Sequence, residues 1–202
     1  MVKGACLQLG ELQDYPEYMQ ICCDTLNAEW KRSDTARIYS LQKSSSSLPV
    51  SLVMFDSLSR EFLGHARLCR ILERQDACFI ESVIIVADRR GEGLGRELML
   101  LVEAYARDRG FQTAYLTSMN KQAFYTRLGY TFCEAVTASS GCHVSLGGVV
   151  RPRVIPAPST VVPPKNSRQL DSGNSPPPPP LPPVVQQTKR LDRDWMMKTI
   201  MT

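Results

Sequence analysis

Histidine is scarce in this sequence of 202 residues, which contains only His65 and His143. Two histidines argue against a histidine-rich metal centre and leave few candidates for a serine–histidine–acid hydrolase. No apolar run approaches the roughly 20 residues of a membrane-spanning helix, and acidic residues appear before any signal-peptide core can form. These absences predict a cytosolic protein that binds no metal and has neither a membrane nor a nucleic acid as partner.

Cysteine is present without any C-x-x-C pair, and the number of cysteines is odd. In a chain with no secretory signal, we expect reduced and mostly buried thiols rather than a disulfide framework. The seven cysteines are Cys6, Cys22, Cys23, Cys69, Cys78, Cys133 and Cys142.

Proline is nearly absent from the first 150 residues, whereas 12 of the 14 prolines follow them. The charge changes at the same point, from 16 Lys and Arg against 17 Asp and Glu before it to 8 against 3 after it. The proline-rich part has too little apolar periodicity to bury a core. We predict a folded domain over 1–150 and a basic, mostly disordered tail over 151–202, with a polyproline segment at 176–183.

Apolar periodicity within the first 150 residues predicts an α/β domain in which strands and helices alternate. The polar segment after the first helix, including Ser44–Ser47, is interpreted as a loop. The first helix should bury one face formed by Tyr18, Ile21, Cys22, Leu26 and Trp30. In chain order the predicted elements are a helix Glu17–Trp30, a hairpin of strands Val50–Phe55 and Phe62–Ile71, a strand Cys78–Val86, a helix that starts near Leu94 and stops at Gly110, a strand Thr113–Thr117, a short helix that stops at Gly129 and a strand Tyr130–Val136.

The segment Arg89–Arg96 (RRGEGLGR) joins a buried strand to an amphipathic helix and contains three alternating glycines. Glycines allow a backbone to approach a ligand, and a helix N-terminus offers free N–H groups to an anion. Arg89, Arg90 and Arg96 could add full charges. The nucleotide-binding motif G-x-G-x-x-G fails because Arg96 replaces its last glycine, and no lysine completes a P-loop. The spacing that fits is R-x-x-G-x-G, formed by Arg90, Gly93 and Gly95.

This motif resembles the acetyl-CoA diphosphate loop of the GCN5-related N-acetyltransferase (GNAT) family. A second stretch at the expected distance, Asn120-x-x-Ala123-Phe124-Tyr125-x-x-Leu128-Gly129-Tyr130, resembles another signature of that family. The resemblance implies a GNAT fold, which is a bent mixed β-sheet flanked by helices, with acetyl-CoA in a notch beside the strand Cys78–Val86. The alternative is an ordinary strand–turn–helix whose glycines serve only the turn.

In that family the strand backbone holds the acetyl and pantetheine amides, and the N–H groups from Gly91 to Arg96 hold the diphosphate. Val83, Ile84 and Ile85 would be plain core residues in the alternative interpretation. The residues implied to bind acetyl-CoA are Val83, Ile84, Ile85, Arg90, Gly91, Glu92, Gly93, Leu94, Gly95, Arg96, Asn120 and Ala123.

Acetyl transfer to an amine needs a base for the amine and an acid for the leaving thiolate. The resemblance implies that Tyr125 is the acid; otherwise it is a packed aromatic with a backbone partner. Glu81 is the candidate base, because burial beside the notch would raise the pKa of its carboxyl group, although it could equally face outward. A structural role is favoured over a base for His65.

The segment after the first helix borders the acceptor groove in this family. Here it places basic residues around Trp30, and two arginines lie on a neighbouring strand, so the groove could bind an acidic peptide. A solvated basic loop with Trp30 as a core residue is the alternative. The candidate substrate-binding residues are Asn27, Trp30, Lys31, Arg32, Arg37, Arg67 and Arg70.

The segment Pro176–Pro183 (PPPPPLPP) should form a polyproline II helix. It resembles the ligands of profilin. SH3, WW or EVH1 domains are alternative partners, and a spacer that binds no partner is the remaining alternative. Together the features resemble the actin N-terminal acetyltransferases of animals, which implies acetylation of the acidic, processed actin N-terminus and recruitment of profilin-bound actin. A GNAT enzyme for lysine or small amines and a non-catalytic profilin- or SH3-binding adaptor remain open.

Overall fold

Strands from both ends of the sequence meet in one mixed sheet in the computed structural model, which describes residues 6–138 and 193–201. The strands are β1 Leu7–Glu11, β2 Val50–Asp56, β3 Phe62–Ile71, β4 Arg74–Ile85, β5 Thr113–Ser118, β6 Thr131–Phe132 and β7 Asp194–Thr199. The α-helices are α1 Met19–Glu29, α2 Asp34–Gln42, α3 Leu94–Asp108 and α4 Gln122–Arg127. The strand order is β1-β2-β3-β4-β5-β7-β6.

Two apolar layers cover the two faces of this sheet. Leu52 of β2 and Ile80 of β4 pack with Leu98 of α3 on one face. Val53, the next residue of β2, points to the other face and packs with Leu26 of α1, because successive strand side chains alternate. The predicted α/β fold with a mixed sheet flanked by helices is confirmed.

The sheet opens between its two parallel strands. β4 and β5 pair only from Ala77 to Phe79 on β4, opposite Thr113 to Tyr115 on β5. Beyond these residues β4 continues beside β3, while β5 continues beside β7. The divergence leaves a gap next to the C-terminal half of β4, where the sequence predicted a notch.

The last strand comes from the predicted tail. β7 lies between β5 and β6 and is antiparallel to both. Met196 is fully buried there, and Lys198 forms an ion pair of 2.6 Å with Glu103 of α3. The predicted boundary at 150 therefore left one strand out of the folded domain. The rest of the predicted tail up to residue 192, including the polyproline segment, lies outside the described residues.

The first helix is shorter than predicted, and its apolar face is different. A 3-10 turn, Pro16–Tyr18, precedes α1. α1 buries Cys23 together with Cys22 and Leu26, whereas Ile21 and Trp30 are 42% and 45% exposed. A helix start is signalled at Ser33, whose side chain accepts a hydrogen bond from the Ala36 N–H. The segment interpreted as loop thus contains α2.

The remaining strands differ from the predictions mainly at their ends. β3 has the predicted bounds, and β2 and β5 are each one residue longer. β1 was not predicted, and β6 is only two residues long, so most of the predicted strand Tyr130–Val136 is not a strand.

The described residues include no helix long and apolar enough to cross a bilayer, and no group of three or more side chains arranged to hold a metal ion. The six described cysteines are free thiols, and Cys142 and His143 lie outside the described residues.

Candidate active site

The turn before α3 presents backbone N–H groups without backbone acceptors. Gly93 caps the helix with a φ of 88°. The Arg96 N–H donates to the Gly93 carbonyl at 2.9 Å, so this predicted contact to a diphosphate is already used within the turn. Among the described residues, no backbone acceptor meets the N–H groups of Gly91, Glu92, Gly93, Leu94 and Gly95.

The shape of this turn suits a bulky anion. Gly91 and Gly93 both have a φ of 88°, a conformation that favours glycine. A Cβ placed on either residue would meet no atom within 4 Å, which leaves room for a ligand directly against the backbone. The positive end of the α3 dipole adds to the attraction for an anion. The turn therefore fits a diphosphate.

The three arginines of the turn are paired with carboxylates. Arg89 bridges Glu61 at 2.7 Å and Glu92 at 3.0 Å, and these hydrogen bonds raise its pKa, Glu92 most. Arg96 contacts Glu97 at 3.0 Å. The attraction for an anion thus comes from the amides and the helix dipole more than from the free charges that the sequence predicted.

Arg90, the arginine of the R-x-x-G-x-G motif, joins the turn to two other elements. Its Nε donates to the Ile85 carbonyl at the end of β4 at 3.0 Å, and its Nη2 lies 3.1 Å from Glu29 at the end of α1. Arg90 thereby links the turn to the segment next to Trp30.

The backbone of β4 faces the gap at two of the three predicted positions. The Val86 N–H donates to the Leu63 carbonyl of β3. Since backbone groups alternate along a strand, those of Val83 and Ile85 point away from β3, towards the gap, where the Ile85 carbonyl already accepts the hydrogen bond from Arg90. Ile84 is paired with His65 of β3 and faces the wrong side for its backbone to bind a ligand there.

Tyr125 lies next to the gap, on α4. The ring of Phe124, its neighbour, would be 3.5 Å from a Cβ on Gly95, so α4 packs on the start of α3. Asn120, before α4, and Ala123, within it, are both exposed. The Tyr125 hydroxyl has no hydrogen-bond partner among the described residues, and burial raises its pKa to about 12. A tyrosine in this state stays protonated at neutral pH and can donate a proton.

Glu81 lies on the face of the sheet opposite α3. Its Oε1 accepts a hydrogen bond from the Cys69 thiol at 3.4 Å and lies 3.9 Å from Nε of Arg67. Burial raises the pKa of Glu81, against the opposing effect of Arg67. A raised pKa suits a base that works near neutral pH.

Arg67 is a buried arginine with unused donors. It is 3% exposed, and its Nη1 donates to Ser40 of α2 at 2.9 Å. Its Nε and Nη2 have no hydrogen-bond partner among the described residues. Buried donors of this kind are costly unless a ligand or water pairs with them.

The predicted acceptor segment is held together by a second buried arginine. Arg37 of α2 donates from Nε to Asn27 at 2.9 Å and from Nη2 to the Trp30 carbonyl. Asn27 also donates to Asp34 at 2.8 Å. These contacts leave the Trp30 side chain half exposed, with Lys31 and Arg32 exposed beside it. The interpretation of Trp30 as a core residue is wrong.

Arg70 does not join this group. It is opposite Cys78 of the α3-side core, whereas Arg67 is opposite Glu81 on the other face. Its Nη2 donates to the Ser47 carbonyl at 2.7 Å. The prediction that both arginines line one groove is therefore wrong for Arg70.

A sequence model of the acetyltransferase (GNAT) family matches residues 15–130, which include the turn and α4. The chain belongs to the GNAT family. Mouse N-alpha-acetyltransferase 80 is 38% identical to this GNAT protein over 126 residues, which are 60% of this chain and 40% of the mouse protein. The match thus spans well under half of that relative.

Solved GNAT structures share the fold. An aminoglycoside 6'-N-acetyltransferase complexed with coenzyme A has a TM-score of 0.61 at 14% identity, covering 96% of this chain and 98% of its own. A GNAT acetyltransferase from Staphylococcus aureus has a TM-score of 0.52 at 13% identity, covering 64% and 87%. At these identities the likeness concerns the fold alone.

Two contributions to the GNAT site were not predicted from the sequence. One is the contact of His65 with β4, which Gly64 could have signalled, because a glycine inside a strand often marks a close backbone approach. The other is the clamp of Glu61 on Arg89, for which the sequence carries no signal.

Proposed function

We propose that this chain is an acetyl-CoA-dependent N-terminal acetyltransferase that acts in the cytosol on the acidic, processed N-terminus of actin. The reaction is supported by one arrangement above all: beside the gap between β4 and β5, five amides at the start of α3 have no backbone acceptor in the described part of the chain. The GNAT family and the mouse relative support the same reaction.

Acetyl-CoA, when bound, supplies the activated thioester. The amides from Gly91 to Gly95 would bind its diphosphate, and the backbone groups of Val83 together with the N–H of Ile85 would orient its thioester carbonyl and its pantetheine amides in the gap. Gly93 and Gly91 admit the phosphates because no side chain fills the space above them.

The amine nitrogen of the acceptor forms a C–N bond to the acetyl carbon while the C–S bond breaks. Tyr125, which is protonated at neutral pH, donates a proton to the leaving sulfur. Glu81 receives the amine proton, directly or through a water. An α-amino group has a pKa near 8, so a base of modest strength suffices.

Arg67 supports an acidic acceptor. Its Nε and Nη2 have no hydrogen-bond partner among the described residues, although Nε lies 3.9 Å from the Glu81 carboxylate. A guanidinium group with such donors can bind a carboxylate in a bidentate manner. Lys31 and Arg32, exposed next to Trp30, add positive charge beside it.

Turnover with acetyl-CoA on peptides that begin with acidic, neutral or basic residues tests this function. We expect acidic starts to be preferred, and Arg67→Gln to raise their KM about tenfold or more, the usual effect of losing a charged hydrogen bond. Arg70→Gln is the matched control, since it removes the same charge from the opposite face of β3. A preference for lysine side chains or small amines, or equal effects of the two variants, would contradict the proposed substrate.

The polyproline segment Pro176–Pro183 supports a recruitment role. We propose that it binds profilin and so raises the local concentration of profilin-bound actin. Absence of turnover on any amine, with profilin binding retained, would favour the adaptor alternative.

A further inference from the structure

Gly64 and His65 of β3 contact the β4 backbone on both sides of Val83. A Cβ placed on Gly64 would lie 2.6 Å from the Ile84 carbonyl oxygen, so glycine is what allows this approach. The Ser82 carbonyl oxygen lies 3.1 Å from Nδ1 of His65. The two carbonyls that flank Val83 are therefore both in contact with neighbouring residues of β3.

The Ser82 carbonyl lies at an irregular point of the sheet. Between the pairs His65–Ile84 and Arg67–Glu81, β4 contains one residue more than β3. Ser82 has a φ of 56°, which is unusual for a residue with a side chain. Such a conformation persists only where the surroundings fix it.

His65 is suited to fix this bulge because it is neutral and buried. A carbonyl only accepts hydrogen bonds, so Nδ1 carries the hydrogen and donates it to Ser82. The side chain is 1% exposed, and burial lowers its pKa to about 4. The hydrogen bond to Ser82 opposes this shift, while Arg67 on the same strand and Arg37 of α2 add to it.

We propose that His65 is a positioning residue for the cosubstrate: it holds the Ser82 carbonyl and thereby fixes the direction in which Val83 and Ile85 present their backbone groups to the gap. The inference rests on the proposed function, because acetyl-CoA is the ligand that these groups orient.

Three substitutions separate this role from others. His65→Asn keeps an N–H at the same number of bonds from the backbone as Nδ1, His65→Leu keeps the approximate size without a donor, and His65→Gln places its N–H one bond further out. Calorimetry with acetyl-CoA and steady-state kinetics provide the readouts, with urea unfolding to verify the fold.

We expect His65→Leu to raise the Kd and KM for acetyl-CoA about tenfold, as for a lost hydrogen bond, and His65→Asn to restore most of the affinity. His65→Gln should behave like the leucine variant and replaces it if that variant does not fold. The pH–rate profile of His65→Asn should match that of the unmodified protein between pH 5 and 9.

Unchanged acetyl-CoA affinity in both His65→Leu and His65→Gln would overturn the positioning role. Normal binding with loss of turnover in His65→Asn would also overturn it and make His65 the base instead. Failure of the unmodified, folded protein to bind acetyl-CoA would be a different result, since it contradicts the proposed function itself.

Discussion

Two neighbouring tyrosines, Tyr125 and Tyr130, differ in how deeply they are buried. Tyr125 and Tyr130 have ring centroids 5.9 Å apart, edge to face. Tyr130 is 1% exposed within the core, whereas Tyr125 is only partly buried, at the edge of that core. Tyr125 is next in sequence to Phe124, whose ring packs on Gly95 at the start of α3.

Tyr125→Phe should lower kcat about 100-fold with little change in KM, since a general acid contributes at least this much. Because burial raises its pKa to about 12, Tyr125 stays protonated and effective at neutral pH, and its deprotonation would lower the rate only near pH 12. Steady-state kinetics of this variant and of the unmodified protein between pH 6 and 10 would measure the loss in kcat, and no fall in rate from deprotonation of Tyr125 is expected within this range.

Tyr130→Phe serves as the control, because it removes the same hydroxyl group from a tyrosine that follows the end of α4. Equal losses in the two variants would contradict a specific role of the Tyr125 hydroxyl as the acid, since both changes keep the aromatic ring and remove only a hydroxyl.

The places of individual residues in the fold were predictable where a motif fixes them, as for Gly93 before α3 and Tyr125 on α4. They were not predictable where the register between β3 and β4 decides which face of the sheet a residue occupies, as for Arg67 and Arg70. Both are basic and close in sequence, but three residues along a strand reverse the face. The contact of His65 with Ser82 depends on a bulge, which no local propensity indicates.

At the scale of elements, α3 offers two glycines in the same conformation at its two ends. Gly93 and Gly110 have φ values of 88° and 86°, and a Cβ on either would meet no atom within 4 Å. They differ in what lies next to them, namely the free amides at one end and the last turn of the helix at the other.

Gly93→Asp should abolish measurable binding of acetyl-CoA in calorimetry, because its carboxylate would occupy the space meant for a diphosphate. Gly110→Asp introduces the same backbone strain and the same charge at the far end of α3, and is expected to retain binding. If both variants bind acetyl-CoA normally, the diphosphate does not lie on this turn.

Among the elements, β2, β3, β5 and α3 could be predicted because their apolar residues repeat with the period of a strand or helix. α2 could not, because polar side chains, Arg37 and Ser40, account for much of its buried face. β1 is a short edge strand without a fully buried residue. β7 follows a long proline-rich segment, so its neighbours in the sheet are far away in sequence.

At the scale of the whole molecule, the sheet depends on its last strand. Truncation after Val150 would remove β7, which leaves β5 and β6 without a shared partner and Glu103 buried without Lys198. We expect this truncation to lower the free energy of unfolding by about 3 kcal/mol or more, since it exposes core side chains and leaves the buried Glu103 carboxylate without its ion-pair partner. Urea unfolding would measure the difference.

Deletion of residues 176–183 alone keeps β7 and is expected to retain the stability and the peptide activity of the full chain. It should lower activity on profilin-bound actin only. A loss of peptide activity equal to the loss on profilin-bound actin would contradict recruitment by the polyproline segment.

The position of β7 also limits how far a partner on the proline run can be from the enzyme. Ten residues separate Pro183 from Asp194, where β7 begins, and a chain of that length spans at most about 35 Å. Asp194 is paired with Ser118, the last residue of β5 before the segment that carries Asn120 and Tyr125. A partner bound to the prolines would therefore be tethered through the chain on both sides, and the shorter tether would be attached beside the segment that leads to Tyr125.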